Sequence, residues 1–350
     1  MKKNIIYAWA CDFSSFRGEG ILARDFAQDI SRAKNVKIII KSPENKYLVS
    51  NKRIKKITKT YKKKINFGLL ENYLWPIYGL LYLWKLYFQN KKIIYLNFMP
   101  LWNFLLFYFL PPKTIVGPIT GFLPKKKIEN FSNLIRIILI PTFYNLSLFI
   151  IFKRFNNLIF STDLLKAKFS RKKFSKLYFN YLIFSNIKFK KKEYKEKKID
   201  LLIYNRNYSV KEHFKLNNLI KYLIKKKYNV ECVGDELKIK GLKNNGIISR
   251  IKTQSKLKKT KVIISSPENP YSLFTMDAIN MGTKILFDIK YNKKLSFIKY
   301  NPKHYINIDD QKYLQIEDFI NKNDNHIKLN IKSINLTKKR INKYLKNLII

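Results

Sequence analysis

The chain has 350 residues, 46% of them hydrophobic, which is enough to bury two cores and excludes an intrinsically disordered protein. Its 71 lysines and arginines against 23 acidic residues give a formal net charge of +48, which predicts attraction to nucleic acid, anionic lipid or phosphate-bearing substrates. Heavy use of Lys, Ile, Asn, Phe and Tyr is typical of AT-rich codons, so the charge alone does not identify the partner.

The two cysteines, Cys11 and Cys232, lie far apart, a pattern that favours a reducing compartment over a disulfide framework or a cysteine-based metal site. The N-terminal apolar run is too short for a signal peptide, because Asp12 and Arg17 interrupt it. We interpret residues 4–9 as the first β-strand.

Strand-like and helical patterns alternate along the first half of the chain. A glycine-bearing turn, a helix over residues 21–32 and a strand over 36–41 follow the first strand, which is the signature of a βαβ unit. Three further strands are predicted, at residues 93–97, 114–118 and 157–161. This half therefore predicts a doubly wound parallel sheet.

Residues 93–112 contain no charged side chain and are long enough to span a bilayer. Asn97, Pro100 and Asn103 interrupt the stretch, so we favour a buried strand, a loop and a short helix, with a spanning helix as the alternative. Two more apolar stretches, each carrying a basic residue, are 73–88 and 134–152. All three are candidates for an aromatic-rich surface that enters a membrane interface.

The composition becomes almost purely charged at residues 188–198, as in a solvated linker, and the alternation then restarts. The predicted elements are strands at 200–204, 230–233, 246–248, 261–265 and 284–288, helices at 211–226 and 273–280, and a closing helix at 336–350. We expect an N-terminal Rossmann-like acceptor domain at 1–184, a linker at 185–199, a C-terminal Rossmann-like donor domain at 200–332 and the closing segment at 333–350. The fold class is α/β, with two doubly wound parallel-sheet domains facing across a cleft.

Ligands of such domains bind at the carboxyl ends of the strands, and three segments there carry suitable residues. Gly18 and Gly20 open a helix after the first strand, where backbone N–H groups can approach a ligand, with a tight turn as the alternative. Arg206 and Lys211 follow the first strand of the second domain and can converge on a diphosphate. In a chain so rich in lysine, coincidence is the alternative explanation of this pair.

The third segment, residues 265–285, combines a strand, a proline-bearing loop, a helix, a glycine and a second strand. A helix that begins near Ser272 and Leu273 offers free N–H groups to a phosphate. Asp277 lies more than one turn further along and can accept hydrogen bonds from ribose hydroxyls. This segment is the most specific of the three.

Together, the three segments resemble the retaining GT-B glycosyltransferases that use nucleotide-sugar donors, the group-one bacterial family. Arg206 and Lys211 match the basic residues that hold the donor diphosphate in the family. Residues 233–235, with Gly234, are similar to its Val-Gly-Asp-Gly turn, and Gly18 and Gly20 match its glycine-rich first turn.

The third segment resembles the family's donor signature, in which two glutamates are separated by seven residues. Asp277 matches the second glutamate and by resemblance binds the ribose, while Asn269, with Glu268 one residue earlier, stands at the first. The family's N-domain histidine is absent, because all three histidines follow the linker, and residues 116–121, with Thr120, occupy its place.

The resemblance implies a glycosyltransferase that moves a sugar from a nucleotide-diphosphate donor with retention. No cofactor or metal is needed, because Arg206, Lys211 and helix N–H groups can stabilise the leaving diphosphate. For an inverting reaction, Asp12 and Glu19 are the candidate general bases. The apolar surface of the first domain favours a cell-envelope glycan or lipid-linked acceptor. With basic runs at 52–64 and 125–127, it predicts a cytoplasmic protein bound peripherally to the anionic inner face of the cell membrane.

Two other classes of protein compete with this interpretation. A nucleic-acid-binding protein fits the charge and the 15% aromatic content, but no helix-turn-helix, zinc-finger or RNP-like motif is present, so no specific nucleic-acid partner is expected. A non-catalytic membrane-associated protein fits the departures at Asn269 and Asp277. A Rossmann dehydrogenase is excluded, because the third glycine and the acidic ribose-binding residue are missing.

Overall fold

The structure is a computed structural model. It describes residues 5–15, 18–51, 53–59, 71–96, 99–101, 103–120, 131–155, 157–166, 169, 176–188, 196–205, 214–265, 270–288, 295–306, 313–322 and 326–348. The chain divides into two compact units. The first unit comprises Met1–Tyr181 and Thr337–Ile350, and the second comprises Leu182–Leu336.

The first unit contains a mixed sheet with helices between its strands. Its elements are β1 (Ile5–Trp9), α1 (Gly18–Lys34), β2 (Lys37–Lys41), β3 (Asn45–Ser50), β4 (Arg53–Lys59), α2 (Glu71–Phe88), β5 (Lys92–Tyr95), β6 (Met99–Pro100), α3 (Phe104–Phe109), β7 (Ile115–Val116), β8 (Ile119–Thr120), α4 (Phe131–Arg154), β9 (Leu158–Ile159) and β10 (Leu177–Tyr178). The described strands of the main sheet run in the order β4-β3-β2-β1-β5-β7. β2, β1, β5 and β7 are parallel, while β3 and β4 form an antiparallel hairpin.

Apolar residues at helical spacing explain why α1 forms and where it packs. Its buried residues include Leu22, Ala23, Phe26, Ala27 and Ile30, which fall on one face of a helix. Glu19 in the first turn and basic residues in the last turn suit the helix dipole. The predicted helix over 21–32 is therefore confirmed, and it begins earlier than predicted, so Gly18 and Gly20 are helical.

The apolar stretch 93–112 does not form one helix. β5, β6 and α3 occupy it, so the predicted strand, loop and short helix are confirmed and the spanning helix is wrong. In the described part of the chain, every helix is too short or too polar to cross a membrane. Part of the basic run 52–64 forms β4, and the run 125–127 lies outside the described residues.

The second unit is built around a parallel sheet. Its elements are α5 (Tyr181–Asn186, whose first residue belongs to the first unit), β11 (Ile199–Asn205), α6 (Phe214–Lys225), β12 (Val230–Gly234), β13 (Lys243–Asn244), α7 (Arg250–Lys258), β14 (Thr260–Ile264), α8 (Leu273–Met281), β15 (Lys284–Asp288), β16 (Tyr305–Ile306) and α9 (Tyr313–Asn321). The described strands run in the order β13-β12-β11-β14-β15-β16, and all neighbours are parallel.

One strand of the second sheet was predicted in the wrong place. The edge strand is β13 at Lys243–Asn244, and not residues 246–248. Gly246 has a φ of +65° and its carbonyl accepts a hydrogen bond from Gly234 N at 3.0 Å, so the chain turns there instead of extending. The β-branched residues Ile247 and Ile248 suggested a strand. The preference of two such residues for a strand is too weak to keep the chain extended where Gly246 turns.

A buried lysine holds α9 against the second sheet. Lys284 Nζ donates to the carbonyls of Phe319 and Ile320, both at 2.8 Å, and of Lys322 at 2.7 Å, at the C-terminal end of α9. The negative end of the helix dipole and three acceptors suit an ammonium group. Burial lowers the pKa of Lys284 to about 8.

The last helix, α10 (Ile331–Asn347), begins in the second unit and ends in the first. Tyr344 is buried, and its ring centroid lies 4.7 Å from that of Tyr178. Arg340 Nη2 donates to the carbonyl of Leu177 at 3.2 Å. The end of α10 is thus part of the core of the first unit.

Candidate functional site

The second sheet has a topological switch point between β11 and β14. The chain passes from β11 to β12 on one side and returns to β14 on the other. Ligands of open α/β sheets bind outside the carboxyl ends of the strands at such a point. The segments that follow β11 and β14 contain Arg206, Lys211, Glu268 and Asn269, which lie outside the described residues.

The turn after β12 lies directly against the end of β11. Asp235 N donates to Asn205 O at 3.0 Å, and Asn205 Nδ2 donates to Asp235 O at 3.1 Å. Gly234 has a φ of +101°, and a Cβ atom there would lie 2.1 Å from Asn205 O. Only glycine fits both the backbone angle and this close approach. Gly234 therefore allows this turn to pack closely on the end of β11, next to the switch point.

α8 begins near the end of β11 with a well-formed cap. Ser272 is its N-cap, and the Ser272 Oγ accepts from Thr275 N at 3.1 Å. The cap satisfies Thr275 N, which leaves the N–H groups of Leu273 and Phe274 without an acceptor inside the helix, and the dipole makes this end positive. The ring of Phe274 stacks on Tyr204 of β11 with centroids 5.5 Å apart. The predicted helix start is confirmed, and this end of α8 can receive an anion.

Asp277 lies on α8 with only 2% of its surface exposed. Its Oδ2 accepts from Arg250 Nε at 2.8 Å, and its Oδ1 accepts from Arg250 Nη2 at 2.7 Å. Gln254 Nε2 also donates to Oδ1, at 2.9 Å. The carboxylate therefore ties α7 to α8, and its role in ribose binding stays a prediction.

Sequence reasoning did not identify Arg250 or Gln254. Arg250 is the first residue of α7 after the cap Ser249, and its Nη2 also donates to Asn186 Oδ1 at 2.6 Å. Asn280 of α8 donates to Asn186 O at 2.6 Å, which closes the network. The sequence carries no signal for these contacts, because the partners are brought together only by the packing of α5, α7 and α8.

In the first unit, Gly20 is required by packing. A Cβ atom at Gly20 would lie 2.3 Å from Asp12 O and 2.5 Å from Ser15 O, so the first turn of α1 lies against the loop after β1. Arg24 of α1 donates to Phe13 O, and to Ser15 O at 2.8 Å, which fixes the same loop. This close approach explains the glycine, and its contact with a phosphate stays a prediction.

The remaining predicted residues of the first unit follow the carboxyl ends of its parallel strands. Asp12 follows β1, Glu19 lies in the first turn of α1, and Thr120 follows β7 as the last residue of β8. Thr120 Oγ1 is buried and has no hydrogen-bond partner among the described residues. Asp12 and Glu19 thus lie at the edge of the main sheet at which a ligand would bind, whereas Thr120 belongs to the separate pair of strands β6 and β8.

The similarity of this chain to known proteins lies in its fold and not in its sequence. No family model matches the sequence, and no curated protein matches it. Among solved structures, Methanocaldococcus jannaschii UDP-GlcNAc 2-epimerase in complex with UDP-GlcNAc and UDP has a TM-score of 0.50 and 12% identity, and the match covers 97% of this chain and 99% of that chain.

Two further solved structures are also similar. S. aureus TarM, in complex with fondaparinux, alpha-GlcNAc-glycerol and UDP, has a TM-score of 0.48 and 14% identity over 88% of this chain, which spans 58% of TarM. T4 phage BGT in complex with its UDP-glucose substrate has a TM-score of 0.45 and 13% identity over 98% of this chain and 96% of that chain. Identities this low establish a fold and not an activity. The prediction from the sequence is confirmed to this extent: the chain has a GT-B-type fold with two parallel-sheet domains, the first of which carries the antiparallel β3–β4 hairpin at the edge of its sheet.

Proposed function

We propose that the chain is a glycosyltransferase that takes a sugar from a nucleotide-diphosphate donor bound in the second unit. The observation that carries the proposal is the switch point between β11 and β14, where the Gly234 turn lies against Asn205 and the capped N-terminus of α8 begins nearby. A helix N-terminus at a switch point suits a diphosphate. The epimerase of similar fold is described as a complex with UDP-GlcNAc and UDP, which supports a donor of this class.

In this proposal, Arg206 and Lys211 hold the diphosphate, Asp277 contacts the ribose, and Glu268 or Asn269 contacts the sugar. The acceptor is a cell-envelope glycan or a lipid-linked glycan, so the reaction contributes to polysaccharide synthesis, and transfer proceeds with retention. Proton NMR of the anomeric signal in the product distinguishes retention from inversion, in which Asp12 or Glu19 would act as the general base.

The proposal is tested by a donor-hydrolysis screen. The purified chain is incubated with UDP-, GDP-, ADP-, CDP- and dTDP-linked sugars, and released nucleoside diphosphate is measured. We expect slow hydrolysis of one donor class, because a site that activates the leaving diphosphate also admits water. If the protein neither hydrolyses nor binds any of these donors, the non-catalytic alternative is correct.

The diphosphate contact predicts a loss of activity for Lys211→Ala. Removing one preorganised electrostatic contact costs about 2–4 kcal/mol of transition-state stabilisation, so turnover should fall by about 30- to 1,000-fold. The matched control is Lys221→Ala, which removes an exposed lysine from α6. Equal turnover of a folded Lys211→Ala protein and this control would disprove the role of Lys211.

We further propose that the first unit binds peripherally to the anionic inner face of the cell membrane. The support is an exposed apolar surface on three helices, here called the α2–α3–α4 surface. Its exposed members are Leu74, Ile77, Leu81, Phe88, Leu105, Tyr108, Phe109, Ile138, Leu139, Leu146 and Phe149. Exposed apolar side chains grouped on neighbouring helices are typical of an interaction site.

Hydrogen bonds join the three helices into one surface. Trp84 Nε1 of α2 donates to Phe109 O at 2.9 Å, and Arg154 of α4 donates to Phe107 O at 2.9 Å. Cations lie among the apolar side chains: Lys153 Nζ is 4.2 Å from the ring centroid of Phe149, and Lys85 lies one helical turn from Phe88. Aromatic rings at headgroup depth beside lysines suit an anionic lipid interface.

The membrane proposal predicts that Phe88→Ser and Phe109→Ser each weaken binding to phosphatidylglycerol-containing vesicles by about tenfold, because burial of an aromatic ring in the interface is lost. Ile251→Ser is the matched control, since Ile251 lies on the second unit and is at least as exposed as either phenylalanine. Co-sedimentation measures the binding, which salt should weaken. Equal binding of all variants contradicts the proposal, and so does retention of the protein on membranes through both high-salt and carbonate washes.

A further inference from the structure

The hydrogen bonds that Asp277 already accepts limit how many hydroxyl groups of the donor's ribose it can bind. This inference rests on the proposed function. A carboxylate has two oxygens with about four lone-pair positions in total. In the described residues, Oδ1 of Asp277 accepts two hydrogen bonds, from Arg250 Nη2 and Gln254 Nε2, and Oδ2 accepts one, from Arg250 Nε. One acceptor position, on Oδ2, is not used by these partners.

Arg250 cannot easily release the carboxylate. Its contact with Asp277 is bidentate, with distances of 2.8 and 2.7 Å, and its Nη2 is also held by Asn186 Oδ1 at 2.6 Å. The Asp277 side chain is only 3% exposed, so water does not compete strongly for this pair. Binding of both ribose hydroxyls would require one of these hydrogen bonds to break.

We propose that Arg250 is a positioning residue, which orients Asp277 so that it accepts a hydrogen bond from one of the two ribose hydroxyls. The other hydroxyl is then not recognised by this carboxylate. The protein should therefore discriminate against loss of one hydroxyl and tolerate loss of the other.

The first test uses the wild-type protein. Isothermal titration calorimetry compares uridine, guanosine, adenosine and cytidine diphosphates with their 2′-deoxy and 3′-deoxy counterparts. For the base that binds, we expect one deoxy analogue to bind within about twofold of the ribonucleotide and the other to bind about tenfold or more weakly, the loss of one hydrogen bond to a charged group. Equal weakening by both deoxy analogues, or by neither, overturns the inference while leaving the proposed function intact. If no ribonucleoside diphosphate binds, both the inference and the proposed function fail.

The second test uses Arg250→Met, which retains the length of the side chain and removes its donors. We expect the ratio of ribonucleotide to sensitive deoxynucleotide affinity to fall from about tenfold to about twofold or less, because Asp277 loses its orientation. A purely structural role would weaken all three ligands equally and leave this ratio unchanged, which would overturn the inference. Lys252→Met is the control, since it removes an exposed cation from the same turn of α7. The wild-type comparison stands if Arg250→Met does not fold.

Discussion

Tyr344→Ala should lower the free energy of unfolding of the first unit by about 3–5 kcal/mol, the range for truncating a buried aromatic side chain. The side chain is 2% exposed, and its ring packs on Tyr178. Urea denaturation followed by tryptophan fluorescence measures the effect. All four tryptophans, at positions 9, 75, 84 and 102, belong to the first unit, so this signal reports on that unit alone.

Lys343→Ala is the control for Tyr344→Ala. Lys343 precedes Tyr344 on α10 and is exposed, so its removal should change the stability by less than about 0.5 kcal/mol. If both variants unfold at the wild-type urea concentration, α10 does not contribute to the core of the first unit.

Gly234→Ala should lower the free energy of unfolding of the second unit by about 3 kcal/mol. A φ of +101° is unfavourable for alanine, and the added Cβ would lie 2.1 Å from the backbone carbonyl of Asn205. Strained backbone and overpacking each cost about 1–3 kcal/mol. Tryptophan fluorescence does not report on the second unit, because that unit has no tryptophan. Thermal unfolding is therefore followed by far-UV circular dichroism, and the loss is measured as a shift of the transition that fluorescence does not detect.

Gly246→Ala provides the matched control. Gly246 also has a positive φ, +65°, but a Cβ atom there meets no atom within 4 Å. Its substitution should cost only about 1 kcal/mol, the penalty of the left-handed conformation. Equal destabilisation by the two substitutions would mean that the close approach to Asn205 does not matter.

The central strands were predictable because they are buried on both faces and appear as short apolar runs. β1, β5, β11 and β14 all follow this rule, and α1 followed from the same alternation, although it begins at Gly18 and not at residue 21. The β3–β4 hairpin was missed because the sequence of β4 alternates little and is rich in lysine. Lysine on an edge strand prevents association with other sheets, so a basic run can be a strand as well as a solvated loop.

The candidate site was predictable only where local sequence determines local structure. The Ser272 cap and the Gly234 turn each depend on neighbours in sequence or on one backbone angle. The pairing of Asp277 with Arg250 depends on how α7 packs against α8, and a family motif gives no information about that contact. The resemblance therefore singled out Asp277 as a candidate but gave no sign of Arg250, with which it pairs.

The position of α10 in the chain has a consequence for folding during translation. The first unit is translated first, yet its core lacks Tyr344 and its neighbours until the whole second unit has been made. At about 5–20 residues per second, the roughly 150 intervening residues delay completion by on the order of 10–30 s. During this interval the nascent first unit exposes both its unfinished core and the α2–α3–α4 surface. The nascent chain is therefore expected to be a substrate for chaperones until α10 emerges from the exit tunnel.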